Sequence, residues 1–405
     1  MLRLFNTLSR QTEDFWPVRN DVTTIFTCGP SIYQRAHIGN FRTFLCEDIL
    51  VRYLEYCGHS VKRGMNFTDI EDKAIKEAEA RKMTVPELTA GNIRDFMEEM
   101  RRLRIKVPDF LPRASETVDE AVAIIKRLLD RGIAYWHRGN VYFNPLKYSD
   151  FGQLYGLDMT RWPAKRKRYH KDTYPGMRWN LGDFILWHGD RDGHTICWDS
   201  PLGKGRPAWN IQDPGMISKH FDETLSVYCG GFDNLFRHHD YTRAILESIR
   251  PYAMAKYWVH CHHLRVNGHK MSKSKGNITY TDTLMQRGYD VGDIRFFLIY
   301  GHYRKALNFS EKNMQLASEK LRKLKKTVVM LENRTALRAT PYGETTEDLR
   351  KAFADGMDND LDVRSAFDGI YGVLVKTKPG TLAPGEASAA LRTLKKIDEV
   401  LQVIF

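Results

Sequence analysis

The feature that most restricts the fold is an alternation of strand, helix and strand near the start of the chain. Residues 23 to 28 (TTIFTC) form a short apolar, β-branched run that a Gly-Pro pair ends, as expected for a strand followed by a turn. An amphipathic helical pattern runs from 38 to about 56, and residues 59 to 67 (HSVKRGMNF) form a second strand pattern. Two strands joined through a helix pair in parallel, so the sequence predicts a βαβ unit.

Later strand patterns predict the other half of a nucleotide-binding fold. Residues 225 to 231 (LSVYCGG) and 257 to 264 (YWVHCHHL) are separated by a helical stretch, and residues 206 to 213 (RPAWNIQD) also have a strand-like pattern. We predict two Rossmann-like halves, at about 20–70 and 195–280. The predicted fold class is therefore α/β, with a parallel sheet.

Two further regions complete the predicted organisation. Between about 75 and 190 a helical period gives way to short aromatic strands around a basic loop, which predicts an inserted α+β subdomain. From 308 to 405 the strong patterns are helical, apart from a Pro/Gly-rich turn near 376–386. Because 405 residues exceed what one core usually supports, we predict a catalytic domain at 1–307 and a helical bundle at 308–405.

Composition narrows the class of protein. The chain shows no secretory signal, no run of membrane-spanning length, and no CxxC pair among its six cysteines. We therefore expect a cytoplasmic protein with reduced thiols and no membrane partner. The formal net charge of +12 suits a nucleic acid or a phosphate-rich substrate. Basic clusters lie at 101–106, 165–168 and 320–326, and a solvated helix face is the simpler explanation for the third.

The tetrapeptide His37-Ile38-Gly39-Asn40 lies between the first predicted strand and the first predicted helix. The start of a helix presents unpaired N–H groups and a partial positive charge, which favour phosphate binding. Gly39 would let a nucleotide approach the backbone, and His37 and Asn40 could donate hydrogen bonds to phosphate oxygens. For this segment alone, an ordinary turn with an exposed histidine is the alternative.

Residues 270 to 274 (KMSKS) form a more specific pattern. Lys270 and Lys273 lie in a loop rich in serine and glycine. They can close over a triphosphate and neutralise the charge that develops on its β and γ groups. The other residues of the segment are also assigned to ATP binding: Met271, Ser272 and Ser274.

Together the two signatures resemble the HIGH and KMSKS signatures of the class I aminoacyl-tRNA synthetases, and longer segments are similar to successive blocks of the cysteinyl family. The resemblance covers roughly residues 1 to 400, including the helical region from 308. The segments are FTCGPSIYQRAHIGNFRTF (26–44), MNFTDIEDK (65–73), WDSPLGKGRPAWNI (198–211), GGFDNLFRHH (230–239) and WVHCHHLRVNGHKMSKSKGN (258–277).

The resemblance implies a reaction in two steps. An amino acid carboxylate attacks the α-phosphorus of ATP, pyrophosphate leaves, and an acceptor then takes the acyl group, with Mg²⁺ accompanying the ATP. By match to the family, His37 and Asn40 contact the phosphates, and Lys270 and Lys273 stabilise the pyrophosphate. Asp233 is expected to hold the ribose.

The GGFDN segment supports this nucleotide role from its position alone. Gly230 is assigned to ATP binding because it precedes Asp233 at the end of a predicted strand, where open α/β sheets bind nucleotides. A helix cap is the alternative role for this aspartate.

Cysteinyl synthetases also hold a zinc ion, with two Cys, one His and one Glu as ligands, which binds the substrate thiolate. At the matching positions this chain has Cys28 and His238, but Asp213 replaces the second cysteine and Thr242 the glutamate. Either Cys28, Asp213 and His238 bind zinc, or, as we favour, the pocket is metal-free. Asp213 would then be an unpaired carboxylate suited to a cationic or hydrogen-bond-donating side chain. Trp209 would be an apolar wall of that pocket or a core aromatic.

The acceptor is the remaining question. The chain ends at Phe405 with no counterpart of the family's anticodon-reading module, which leaves anticodon recognition open. The leading hypothesis is activation of cysteine, or of an analogue with a polar side chain, and its transfer to tRNA. The alternatives are a ligase that joins an activated amino acid to a small amine, as mycothiol-type cysteine ligases do, and an inactive RNA-binding paralogue.

Overall fold

The structure, a computed structural model, describes residues 1–161, 182–190, 196–271, 275–334 and 343–405. Within these residues the strands are β1 (Arg3–Asn6), β2 (Gln11–Asp14), β3 (Thr23–Thr27), β4 (Val61–Met65), β5 (Ala134–His137), β6 (Asn140–Phe143), β7 (Phe184–Gly189), β8 (Gly205–Pro207), β9 (Leu225–Gly231), β10 (Ala255–Cys261), β11 (Leu264–Val266), β12 (His269–Lys270) and β13 (Leu307–Phe309). The α-helices are α1 (Ile38–Tyr56), α2 (Asp72–Arg81), α3 (Val85–Arg102), α4 (Val118–Asp130), α5 (Trp209–His220), α6 (Tyr241–Glu247), α7 (Thr281–Gln286), α8 (Val291–Tyr300), α9 (Glu311–Glu332), α10 (Glu344–Met357), α11 (Val363–Thr377) and α12 (Pro384–Leu401).

A four-stranded parallel sheet, in the order β10-β9-β3-β4, lies at the centre of the fold. All five residues of β3 are buried, as expected for a central parallel strand covered on both faces. The connections from β3 to β4 and from β9 to β10 lead away from the central pair in opposite directions. The carboxyl ends of β3 and β9 therefore meet at a topological switch point, where such sheets bind ligands. The predicted α/β fold with a parallel sheet is confirmed.

The strand predicted at 206–213 is wrong over most of its length. β8 ends at Pro207 and pairs with β7 in a separate antiparallel sheet, in the order β5-β6-β7-β8. Helix α5 begins at Trp209, and every residue from 210 to 217 is buried. A helix buried on all sides shows no amphipathic period, so its apolar run cannot be distinguished from a buried strand by pattern alone.

The C-terminal helices share one apolar core with α1 and the parallel sheet. Arg295 of α8, which is fully buried, joins several of these elements. Its guanidinium donates to Asp48 of α1 at 2.6 Å and to the carbonyls of Leu103 and Leu401 at 2.7 and 2.8 Å. A buried ion pair of this kind depends on such additional hydrogen bonds.

The apolar character of the helices and the positions of the basic clusters bear on whether the chain binds a membrane or a nucleic acid. Within the described ranges, no helix combines the length and the apolar character needed to cross a bilayer. The basic cluster at 320–326 lies on α9, where Lys320 pairs with Asp368 at 2.6 Å. The basic cluster at 165–168 lies outside the described residues.

Candidate active site

The floor of the candidate site is formed where β3 and β9 end. The N–H of Cys28, just after β3, donates to the carbonyl of Cys229 in β9 at 2.9 Å. A Cβ added to Gly230 would lie 2.4 Å from His239 Cε1 and 3.1 Å from Cys28 Cβ. Glycine at 230 is therefore required by the close approach of these side chains, a packing role that sequence reasoning did not foresee.

His37 begins helix α1 and forms a reciprocal cap with Asn40. The His37 Nδ1 accepts the Asn40 N–H at 3.3 Å, and the Asn40 Oδ1 accepts the His37 N–H at 3.0 Å. Since Nδ1 is the acceptor, the ring proton of the neutral imidazole lies on Nε2. Burial lowers the pKa of His37, which favours this neutral form. A Cβ on Gly39 would lie 3.0 Å from the His37 ring, so glycine lets the ring fold back over the helix start.

This arrangement leaves donors at a helix start that carries no acidic residue in its first turn. Within the part of the chain that the structure describes, neither His37 Nε2 nor Asn40 Nδ2 has a hydrogen-bond partner. The positive end of the helix dipole and these two donors suit an anionic group. Both motif side chains order the helix start, and His37 is half-buried rather than exposed.

The residues flanking the second signature lie against this helix start. The Ile38 N–H donates to the Thr279 carbonyl at 3.1 Å, and Arg35 donates to Asp282 at 2.6 Å. At the base of the loop, Asn277 Nδ2 donates to the Lys270 carbonyl at 3.2 Å. The ends of the loop are thereby held beside α1.

Within the second signature, the two described residues differ in exposure. Lys270 is exposed at the end of β12, whereas Met271 is 8% exposed and packs in the core. The Met271 side chain therefore anchors the loop. Ser272, Lys273 and Ser274 lie outside the described residues.

Asp233 lies in the turn that follows β9, with its side chain 44% exposed. It caps neither the turn at Phe232–Asn234 nor the π-helical turn at Leu235–Asp240, so the helix-cap alternative is wrong. Burial lowers the pKa of His37 and of Lys73, and in both cases the Asp233 carboxylate opposes the lowering. The Asp233 carboxylate also lies 3.9 Å from His263 Nδ1, so basic side chains surround it in the cleft between the end of β9 and the start of α1.

Lys73 was missed as a candidate, although it closes the MNFTDIEDK segment. Its ammonium lies 5.2 Å from the centre of the Tyr33 ring. This half-buried lysine adds positive charge beside the candidate site.

Cys28, Asp213 and His238 meet beside this cleft. All three are buried, and their candidate ligand atoms lie within 4.8 Å of one another. Burial raises the pKa of the Cys28 thiol well above its usual value, and the Asp213 charge adds to the rise. Without a cation nearby, the thiol is therefore protonated at neutral pH.

The carboxylate of Asp213 is fully paired, and the expectation of an unpaired carboxylate is wrong. Its Oδ1 accepts from Asn66 Nδ2 at 3.0 Å, and its Oδ2 accepts from the Tyr228 hydroxyl at 3.0 Å and lies 2.9 Å from His238 Nε2. No sequence signal pointed to Asn66 or Tyr228, because they lie in other elements, after β4 and in β9, and meet Asp213 only through the packing of α5 against the parallel sheet.

His238 lies in the π-helical turn after Asp233, a distortion that often marks functional sites. The half-buried Trp209 stacks on its ring, with centroids 4.2 Å apart and planes 7° from parallel. Thr242, at the position of the family's glutamate, donates its hydroxyl proton to the His238 carbonyl at 2.8 Å. The predicted pocket residues are therefore together in space, with Trp209 at one side.

The sequence of the chain matches a family of known proteins. The family described as tRNA synthetases class I (C) catalytic domain matches residues 14–319. A cysteine–tRNA ligase of Chlamydia felis is 35% identical over 421 residues, which covers 100% of this chain and 86% of the relative. A cysteine–tRNA ligase of Thermococcus onnurineus is 34% identical over 385 residues, or 92% of this chain and 79% of the relative.

Solved structures of other class I enzymes share the fold. Mycobacterium tuberculosis methionyl-tRNA synthetase with methionyl-adenylate matches with a TM-score of 0.67 at 14% identity, over 95% of this chain and 90% of that one. LeuRS of Agrobacterium radiobacter, in a ternary complex with tRNA and LeuAMS, matches with a TM-score of 0.68 at 12% identity, over 96% of this chain and 85% of that one.

Proposed function

We propose, because this chain belongs to the cysteinyl (C) family of class I tRNA synthetases, that its switch-point cleft binds ATP and cysteine and forms cysteinyl adenylate. As a member of this family the chain is an ATP-dependent ligase that activates an amino acid and charges tRNA. The assignment of cysteine follows from the relatives, which are cysteine–tRNA ligases.

The observation that carries the proposal is the contact between the first signature and the segment that follows the second. The Ile38 N–H to Thr279 carbonyl hydrogen bond holds the loop of Lys270 beside the start of α1. A triphosphate bound at the helix start would therefore lie within reach of the loop. Both segments lie at the carboxyl end of the parallel sheet, which is where open α/β sheets bind their ligands. This shared position supports a common role in binding ATP.

The residues of the cleft have distinct roles in this proposal. The carboxylate of the amino acid attacks the α-phosphorus, and the bond to the bridging oxygen of pyrophosphate breaks. His37 Nε2–H and Asn40 Nδ2–H donate to phosphate oxygens as negative charge moves toward pyrophosphate. Lys270 adds positive charge, and Asp233 accepts hydrogen bonds from the ribose hydroxyls. Mg²⁺, which class I enzymes use with ATP, would screen the phosphate charge.

The test is amino acid-dependent exchange of pyrophosphate into ATP, followed by acylation of tRNA. We expect exchange with cysteine in the presence of Mg²⁺, and acid-precipitable cysteinyl-tRNA with an alkali-labile ester when tRNA is added. Lys270→Ala should slow exchange strongly, and Lys351→Ala, which removes an exposed lysine of α10, should not. Exchange without any tRNA acylation would instead favour a small amine as acceptor. If no amino acid supports exchange, the proposal is refuted.

A further inference from the structure

We propose that this chain selects its amino acid without zinc, and that the Asp213–His238 pair occupies the place of the metal. The inference rests on the proposed amino acid activation, because it concerns the side-chain pocket of the same site. It goes beyond that proposal by naming the means of selection and the class of side chain selected.

The first argument is that Asp213 has few acceptor positions left. A carboxylate offers about four lone-pair positions, and Asn66, Tyr228 and His238 lie at hydrogen-bonding distance from its two oxygens, at 3.0, 3.0 and 2.9 Å. A zinc–oxygen bond of about 2 Å on Oδ2 would displace at least one of these partners. The displaced group would be buried and unpaired, because Tyr228 and His238 are 0% and 1% exposed.

The second argument is the orientation of His238. A histidine that binds zinc through one nitrogen donates its other N–H to a carboxylate or a carbonyl. In this chain Nε2 faces Asp213, and no described residue pairs with the buried Nδ1. If Nε2 bound zinc, the Nδ1–H would be buried without an acceptor. If Nδ1 bound zinc, Asp213 would only orient the ring, and Cys28 and His238 alone would be left as ligands.

The third argument is the position of the family's glutamate. Thr242 has a neutral hydroxyl there, and that hydroxyl donates its proton to the His238 carbonyl one helical turn earlier. Thr242 therefore contributes neither charge nor a free ligand. A catalytic zinc needs three protein ligands and an open position, and these residues do not provide that set together with its supporting hydrogen bonds.

The pocket that remains selects by size and hydrogen bonding. Asp213 is compensated by three donors, so of the two side chains expected from the sequence, cationic or hydrogen-bond-donating, a cationic one is not required to neutralise it. Cys28, His238 and the stacked Trp209 leave a neutral, partly apolar environment that suits a small thiol or hydroxyl side chain. A soft metal distinguishes sulfur from oxygen strongly, whereas pockets without such a ligand discriminate isosteric groups by about 100-fold. Serine should therefore be a detectable competitor of cysteine.

Metal content, measured on wild type, His238→Ala and the double variant Asp213→Cys/Thr242→Glu, tests the proposal directly. The double variant restores the family's ligand set, and His238→Ala reports zinc bound elsewhere on the chain. After dialysis against zinc and then buffer, we expect wild type to retain no more zinc than His238→Ala, and the double variant to retain about one further ion per chain. One zinc per wild-type chain that is lost in His238→Ala would overturn the proposal.

Exchange assays give a second, independent result. Cysteine-dependent exchange by wild type should be unaffected by ortho-phenanthroline in the presence of Mg²⁺, and serine should support exchange at a rate reduced by about 100-fold or less. Loss of wild-type exchange on chelation, restored by zinc, would contradict the proposal. If no amino acid supports exchange, the proposed function fails, while zinc binding by wild type still decides the metal question. If the double variant does not fold, the comparison of wild type with His238→Ala is sufficient.

Discussion

His37 has two roles in this structure that two substitutions can separate. It caps α1 through Nδ1, and it presents Nε2–H to the cleft. Asparagine is among the best N-cap residues, but its shorter side chain cannot reach the position of Nε2. His37→Asn should therefore keep the cap and remove the donor, whereas His37→Ala should remove both.

The expected magnitudes follow from the two contacts. Loss of the cap in His37→Ala should lower the free energy of unfolding by about 1 kcal/mol, while His37→Asn should stay close to wild type in urea denaturation. Loss of the donor in either variant should slow ATP–pyrophosphate exchange by about 100- to 1,000-fold, as for other single donors to a developing charge. If His37→Asn exchanges pyrophosphate at nearly the wild-type rate, Nε2–H does not stabilise the leaving phosphates and the reasoning is refuted.

Further predictions concern the interior of the protein. Arg295→Met removes the arginine 2.6 Å from the buried Asp48 carboxylate, which keeps Arg52 at 2.9 Å, and it leaves the Leu103 and Leu401 carbonyls without this donor. The free energy of unfolding in urea should therefore fall by about 3 kcal/mol; an unchanged value would contradict this. Burial lowers the pKa of His260 to about 3, so the unfolded chain takes up a proton first as the pH falls below about 6.5. Stability should therefore be lost at up to about 1.4 kcal/mol per pH unit between about pH 6.5 and 3, with a shallower slope for His260→Gln. Gly230→Ala places a methyl group 2.4 Å from the His239 ring and should reduce both thermal stability and exchange; a fully active variant would show that the ring can move.

Local patterns were enough to predict the parallel sheet and the first helix. In the β3–α1–β4 unit, a Gly-Pro pair follows β3, and His37 and Asn40 cap the start of α1. Residues next to these two elements therefore show where the strand ends and where the helix begins. Helix α5 was mistaken for a strand because its burial on all sides removes the amphipathic period on which the prediction depends.

The candidate site could be predicted only as far as its motifs extend. Resemblance to a family identified Cys28, Asp213 and His238 as neighbours, and their ligand atoms lie within 4.8 Å. The partners of Asp213 could not be predicted, because Asn66 and Tyr228 reach it from separate parts of the chain. Whether a buried carboxylate is paired depends on such distant contacts, and these determine what the pocket can bind.

The most direct test of the account is a crystal structure of the protein with a nonhydrolysable cysteinyl sulfamoyl adenosine. The account predicts the sulfamoyl group at the start of α1 near His37 and Asn40, the ribose on Asp233, and the cysteine side chain beside Cys28 and His238. An analogue bound away from the carboxyl ends of β3 and β9, or with its ribose far from Asp233, would contradict the central claim that these elements form one nucleotide site.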